Sequence, residues 1–88
     1  MIIYKAVNKS NGHIYIGKTS GTLEERIKGH VRGSKKGQYP FARAIRKYGI
    51  HNFHWKILVR ASAVAGLDAL EKYYIAEHRN KKIVYNIL

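Results

Sequence analysis

Residues 2 to 19, IIYKAVNKSNGHIYIGKT, constrain the fold more than any other stretch of the chain. Two segments rich in β-branched and aromatic residues, IIYKAV and HIYIG, flank NKSNG, and Asn-Gly between such segments is a strong hairpin signal. The spacing predicts an antiparallel hairpin. Each arm carries a tyrosine, Tyr4 and Tyr15, and the second arm ends in Gly17 and Lys18. Core packing is one reading of both tyrosines, because aromatics suit strands and both have apolar neighbours. The other is that the hairpin presents two phenols to a common substrate.

Beyond the hairpin the pattern turns helical. Thr22 with Glu25 three residues later has the form of a capping box, predicting a first helix over 23–32. GSKKGQYP interrupts the chain before FARAIRKYG, whose Phe41, Ile45 and Tyr48 share a helical face and whose Gly49 is a stop signal. FHWKILV, residues 53–59, reads as a third strand. LDALEKYYIAEHR repeats Leu67, Leu70, Tyr74 and His78 at helical steps, and the tail NKKIVYNIL fits either a strand or an irregular closing arm. With no internal repeat or long linker, one domain over residues 1–88 is expected.

Composition narrows the function classes. Eighty-eight residues at 45% hydrophobic content suffice for one economical core, and the absence of cysteine removes disulfides and thiolate metal sites. The N-terminus lacks a secretory pattern and no segment has membrane-spanning length, so an intracellular, cytoplasmic or nucleoid-associated setting without membrane insertion is expected. Seventeen Lys plus Arg against five Asp plus Glu give a net charge of +12, a field that attracts polyanions. The cations recur along the whole chain, which favours nucleic acid over an anionic lipid surface. Lys28, Arg32, Lys35, Lys36, Arg43, Arg46 and Lys47 suit backbone phosphates; Trp55 and Phe41 suit the core better than base stacking.

Few residues are candidates for chemistry. Glu71 falls on a helical wheel among Leu67, Leu70, Tyr74 and Ile75, where a carboxylate is costly unless it is paired or binds a cation. A structural ion pair, a metal ligand and a helix-edge position all remain open for it. Arg26 and His30, one turn apart, can share a helix side as a phosphate-binding fork and a proton-handling imidazole, or as structural and general DNA contacts. Lys18 can hold phosphate or lower the pKa of a nearby phenol. Asp68 is three residues from Glu71 and serves equally well as a solvent-facing partner or cap.

The ordered set IIY, YIGK, Arg26, His30, Glu71 and the terminal YNI resembles the GIY-YIG nuclease family, in particular the catalytic domain of phage or mobile-element homing endonucleases. The resemblance implies a small α+β (α/β) fold on a central three-stranded antiparallel sheet flanked by helices, acting as a DNA endonuclease that hydrolyses phosphodiesters with a divalent cation. It assigns Tyr4 and Tyr15 to the two motif tyrosines and Gly17 to the closing glycine. Arg26 resembles the family's helical arginine, His30 the histidine or tyrosine one turn on, Glu71 the metal-binding glutamate and Asn86 an asparagine that helps complete the site. Lys18 resembles the lysine after YVG in the nuclease domain of a bacterial excision-repair protein. Ile2 stands where the family's first glycine would be, so the local backbone is the point of departure. Some homing nucleases carry a histidine near Gln38 and Tyr39; Tyr39 is either its substitute or a surface tyrosine.

One hard ligand favours a one-metal mechanism with Mg2+ or Mn2+. Tyr4 is the first choice for positioning or deprotonating the water, with Tyr15 and His30 close behind; a tyrosine base requires a strongly electropositive pocket. The resemblance also implies a DNA-recognition region C-terminal to YNI or a partner that supplies it, and a bacterial or phage-infected host. The competing readings are a basic DNA- or RNA-binding module without turnover and a structural nucleoprotein component.

Overall fold

The computed structural model describes residues 1–62 and 66–86; Ile87, the last residue of YNI, lies outside them. The predicted hairpin forms as β1 (Ile2–Asn8) and β2 (Ile14–Thr19), joined by a turn in which Gly12 takes a positive φ of 76°. Helix α1 (Leu23–Ser34), helix α2 (Pro40–Tyr48) and a 3-10 turn (Ile50–Asn52) lead into β3 (Phe53–Arg60), and helix α3 (Leu67–Arg79) follows. The sheet is antiparallel with order β2-β1-β3, so the first strand is central. No described helix is long and apolar enough to cross a membrane.

Local chemistry accounts for the element ends. The Glu25 N–H donates to Thr22 Oγ1 at 3.1 Å and the Thr22 hydroxyl donates back to the Glu25 carboxylate at 2.9 Å, a cap whose loss costs about 1 kcal/mol. Glu24 and Glu25 in this first turn also complement the helix dipole. Helix α1 runs two residues past its predicted end. Its last turn is held from outside: Arg46 of α2 donates to the carbonyls of Ser34 and Gly37, both at 2.5 Å. Pro40 occupies the first turn of α2, and Gly49, at φ 84°, closes it.

Side-chain alternation divides the core in two. One cluster of Ile3, Ile14, Ile16, Leu67 and Ile75 lies between the sheet and α3; the other, with Ala6, Phe41, Ala44, Ile45 and Phe53, lies under α2. Phe41 is buried as predicted, whereas Trp55 is only half-buried, because it stands on β3 beside an open groove. Ile2 is a buried strand residue paired with Thr19 and Arg60, and positive φ among the described residues occurs only at Gly12, Gly49 and Gly66. The first motif position therefore needs no glycine here. The tail is an irregular closing arm with one parallel bridge: the Ile14 N–H donates to the Ile83 carbonyl at 3.0 Å and the Tyr85 N–H to the Ile14 carbonyl at 2.7 Å.

Candidate active site

The β1–β2 register pairs each motif tyrosine with a small residue: Tyr4 stands opposite Gly17, and Tyr15 opposite Ala6. Both phenols lie on one face of the sheet, with ring centroids 6.4 Å apart. Tyr15 stacks on Phe41 at 4.2 Å and nearly parallel, so α2 supports the site through this ring. Tyr4 is fully buried, and its hydroxyl is 2.7 Å from His30 Nε2 on α1.

Burial decides the protonation of this pair. It pushes the Tyr4 phenol well up; the neighbouring Tyr15 adds to the rise and the Arg26 guanidinium opposes it. Burial, reinforced by the Arg26 charge, lowers His30 to about 4. Near neutral pH the contact is therefore between a neutral phenol and a neutral imidazole. Tyr15 is also raised, first by burial, then with Arg26 lowering it and Glu71 and Tyr39 raising it. The electropositive pocket expected to depress a tyrosine is outweighed, in the protein alone, by desolvation.

Helix α3 supplies the carboxylate. Leu67, Glu71 and Ile75 are spaced four apart on one helical stripe, and Leu67 and Ile75 are buried core residues. Glu71 interrupts that stripe where it crosses a cleft of about 260 Å3 shared with Tyr15, Tyr39 and Asn86. Its side chain is 23% exposed, and among the five acidic residues it alone is not fully on the surface. Lys18 Nζ is 3.6 Å from Glu71 Oε1 and forms an ion pair with Asp68. Asp68 is thus a partner of Lys18, one of the roles its spacing allowed. Lys18 and Arg26 line a neighbouring cleft of about 400 Å3.

Asn86 acts on the backbone. Its Oδ1 accepts from the Ile16 N–H at 2.9 Å and its Nδ2 donates to the Ile16 carbonyl at 2.7 Å. The carboxamide takes the place of a peptide group on the outer edge of β2, continuing the ladder begun at Ile14. Arg79 Nη2 donates to the Asn86 carbonyl at 3.2 Å and ties the arm to α3.

Tyr39, for which two roles were open, faces the cleft while remaining 42% exposed. Its ring lies over Gly33 in the last turn of α1 and Gly37 in the α1–α2 connection: a Cβ at Gly37 would be 2.8 Å from its Cε1, and one at Gly33 would be 3.3 Å from its hydroxyl. That glycine pair, four residues apart and just ahead of Tyr39, is the signal that could have located it.

Among the described residues no three His, Asp or Glu side chains form a metal cluster. Glu71 nevertheless suits a hard cation of the Mg2+ kind, which is commonly held by one or two carboxylates with water and substrate phosphate. The Asn86 amide oxygen is already engaged, so Glu71 would be the protein's ligand.

Comparison with known proteins bears on the family and the fold. The profile of the GIY-YIG catalytic domain matches residues 1–84. Protein 146R of Invertebrate iridescent virus 6, named for an MSV199 domain, is 32% identical over 79 residues, covering 86% of this chain and 32% of that protein. The chain thus spans about a third of that relative's length. The catalytic domain of homing endonuclease I-TevI superposes with a TM-score of 0.79 at 26% identity, over 98% of this chain and 96% of the other. A glutamate-to-alanine mutant of the same catalytic domain gives 0.81 at 26% identity, over 98% and 91%.

Proposed function

The chain belongs to the GIY-YIG family, and from that premise we propose that it is a metal-dependent DNA endonuclease that hydrolyses phosphodiesters with one divalent ion. The observation that carries this reading is Glu71, a carboxylate set into the core stripe of α3 where that stripe meets a cleft lined by Tyr15, Tyr39 and Asn86. Simple phosphate binding gains nothing from a carboxylate there, whereas phosphoryl hydrolysis does.

Each residue then has a task its surroundings support. Arg26 and Lys18 hold the scissile phosphate and offset the charge that develops on its oxygens, with Lys18 exchanging its contact to Glu71 for substrate. Glu71 would hold the Mg2+ or Mn2+, which when bound supplies Lewis-acid polarisation of the phosphate and stabilisation of the leaving oxygen. The Tyr4 hydroxyl, buried against His30 behind the cleft wall, would position the attacking water once substrate binding admits it beside Tyr15. His30 is unprotonated near neutral pH, so it accepts the Tyr4 hydrogen bond and leaves a phenol lone pair free for the water. The burial and Arg26 charge that keep it neutral make it a weak base, so its role is to orient the phenol. Tyr15 shapes the cleft wall beside Glu71, and Asn86 fixes the strand edge that carries Tyr15 and Gly17. Target selection is assigned to a recognition region or partner outside this catalytic unit.

Conversion of supercoiled plasmid in low salt with Mg2+ or Mn2+ tests the proposal, with EDTA and Glu71→Ala as controls. Nicked or linear DNA that requires both metal and Glu71 is the expected result. DNA binding without any metal-dependent product would leave a binding module and sink the nuclease reading.

A further inference from the structure

A cavity of about 550 Å3 lies apart from the cleft that holds Glu71. It lies on the other side of α1, between that helix and the start of β3. Its floor is apolar, built from Ile27 and Val31 of α1 with Phe53 and Trp55 of β3. Its rim is cationic: Lys28 and Arg32 project from α1 four residues apart, with His51 facing them from the 3-10 turn. No described carboxylate lines it. Arg26 and His30 occupy one side of α1 and Lys28 and Arg32 the opposite one, so the helix divides the two sites.

We propose that this groove is a second nucleic-acid site that takes a single unpaired nucleotide, its base against Trp55 and its flanking phosphates on Lys28 and Arg32. A volume of this size falls within the ~300–1,000 Å3 of small-molecule sites. An aromatic floor under a basic rim is the arrangement by which proteins bind single strands without reading sequence, since every base has a face to stack. Trp55 is half-buried while Phe41, the other candidate for stacking, is wholly in the core. Trp55 is also the shared wall between the groove and the site across the helix, with its ring centroid 5.8 Å from His30 and 6.0 Å from Tyr4. Charge complementarity selects a phosphodiester strand, because the rim carries cations and no acid. The inference rests on the nucleic-acid reading of the chain but not on turnover.

Trp55 is the only tryptophan, so its emission reports on the groove directly. With EDTA present, the protein is titrated in low salt with octathymidylate and with a blunt eight-base-pair duplex at equal phosphate concentration. Saturable quenching is expected with the single strand, at a Kd at least about tenfold lower than with the duplex. Ile27→Glu and Val31→Glu, each of which puts a carboxylate in the floor, are each expected to weaken single-strand quenching about tenfold or more in protein that still melts cooperatively. The exposed pair Lys28→Ala with Arg32→Ala weakens it to a similar extent without touching the floor. Equal quenching by duplex and single strand, single-strand binding with no change in emission, or an unaltered Kd in the Lys28/Arg32 double variant overturns the proposal. Saturation by an acidic amphipathic peptide but not by octathymidylate would also overturn it and mark the groove as a protein-docking surface. Metal is chelated throughout, so turnover does not contribute. Because Trp55 also borders the site across the helix, the Lys28/Arg32 double variant is what assigns the quenching to the groove.

Discussion

The Tyr4 ring lies directly across the backbone of Gly17: a Cβ built on Gly17 would fall 2.3 Å from both Cζ and Oη of the phenol. The two halves of the family motif are thus one packing unit, in which the glycine of the second strand makes room for the tyrosine of the first. Gly17 has no positive φ, so its requirement is for space and not for backbone freedom. Gly17→Ala must displace the buried Tyr4 ring and break its contact with His30. Thermal denaturation should register a loss of about 1–3 kcal/mol, as for an overpacked core, and plasmid nicking should fall with it.

The two phenols separate by substitution. Tyr4→Phe leaves His30 Nε2 buried without its partner, an expected cost of about 1–3 kcal/mol by urea unfolding. Tyr15 donates no hydrogen bond among the described residues, so Tyr15→Phe should be close to neutral in stability. If Tyr4 orients the water, nicking falls about 10²–10⁴-fold in Tyr4→Phe. An equal or larger loss in Tyr15→Phe would transfer that role to Tyr15.

His30 makes stability depend on pH. Its folded-state pKa is about 4 against an unfolded value of 6.5. Between those values the unfolded chain binds the extra proton, so the contribution of the buried neutral imidazole is complete above pH 6.5 and declines as pH falls toward 4. The full span corresponds to about 3 kcal/mol as an upper bound. Urea unfolding between pH 7 and 4 should show the decline, and His30→Gln should lose much of it.

Glu71 offers a test in which activity and stability move apart. Glu71→Leu restores an apolar stripe between Leu67 and Ile75, so its melting temperature should be unchanged or higher. Metal-dependent nicking should drop by several kcal/mol of barrier, about 10³-fold or more. A variant both active and more stable would remove Glu71 from the chemistry.

Asn86 is expected to act through the strand edge. Asn86→Ala removes both hydrogen bonds to Ile16, and Asn86→Asp keeps the acceptor but sets a carboxylate against the Ile16 carbonyl. Both should destabilise by about 1–3 kcal/mol in denaturant titrations. Slower hydrogen exchange at the Ile16 amide in the wild type than in either variant would locate the effect on β2.

Much of this architecture was legible in local chemistry. The alternation around Asn-Gly, the Thr22–Glu25 cap, Gly49 as a stop and the 67–79 helical pattern are interactions within a few residues, and each element appears where its pattern predicts. The anomaly of Glu71 was likewise visible, because a helical wheel already sets it between Leu67 and Ile75. The local pattern ends helix α1 half a turn early because the group that satisfies its last carbonyl, that of Ser34, is Arg46, twelve residues away and on another helix.

The chain's own sequence determined that a basic, cysteine-free hairpin-and-helix domain would carry two tyrosines and one misplaced carboxylate, since propensity, spacing and charge are properties of neighbouring residues. Tertiary structure alone decided which phenol is buried against His30, that Lys18 is paired with Asp68, and that Asn86 spends its amide on Ile16. It also left Trp55 at the edge of an open groove. Those outcomes depend on desolvation and on contacts between residues 26 to 70 positions apart, and no short-range pattern encodes either.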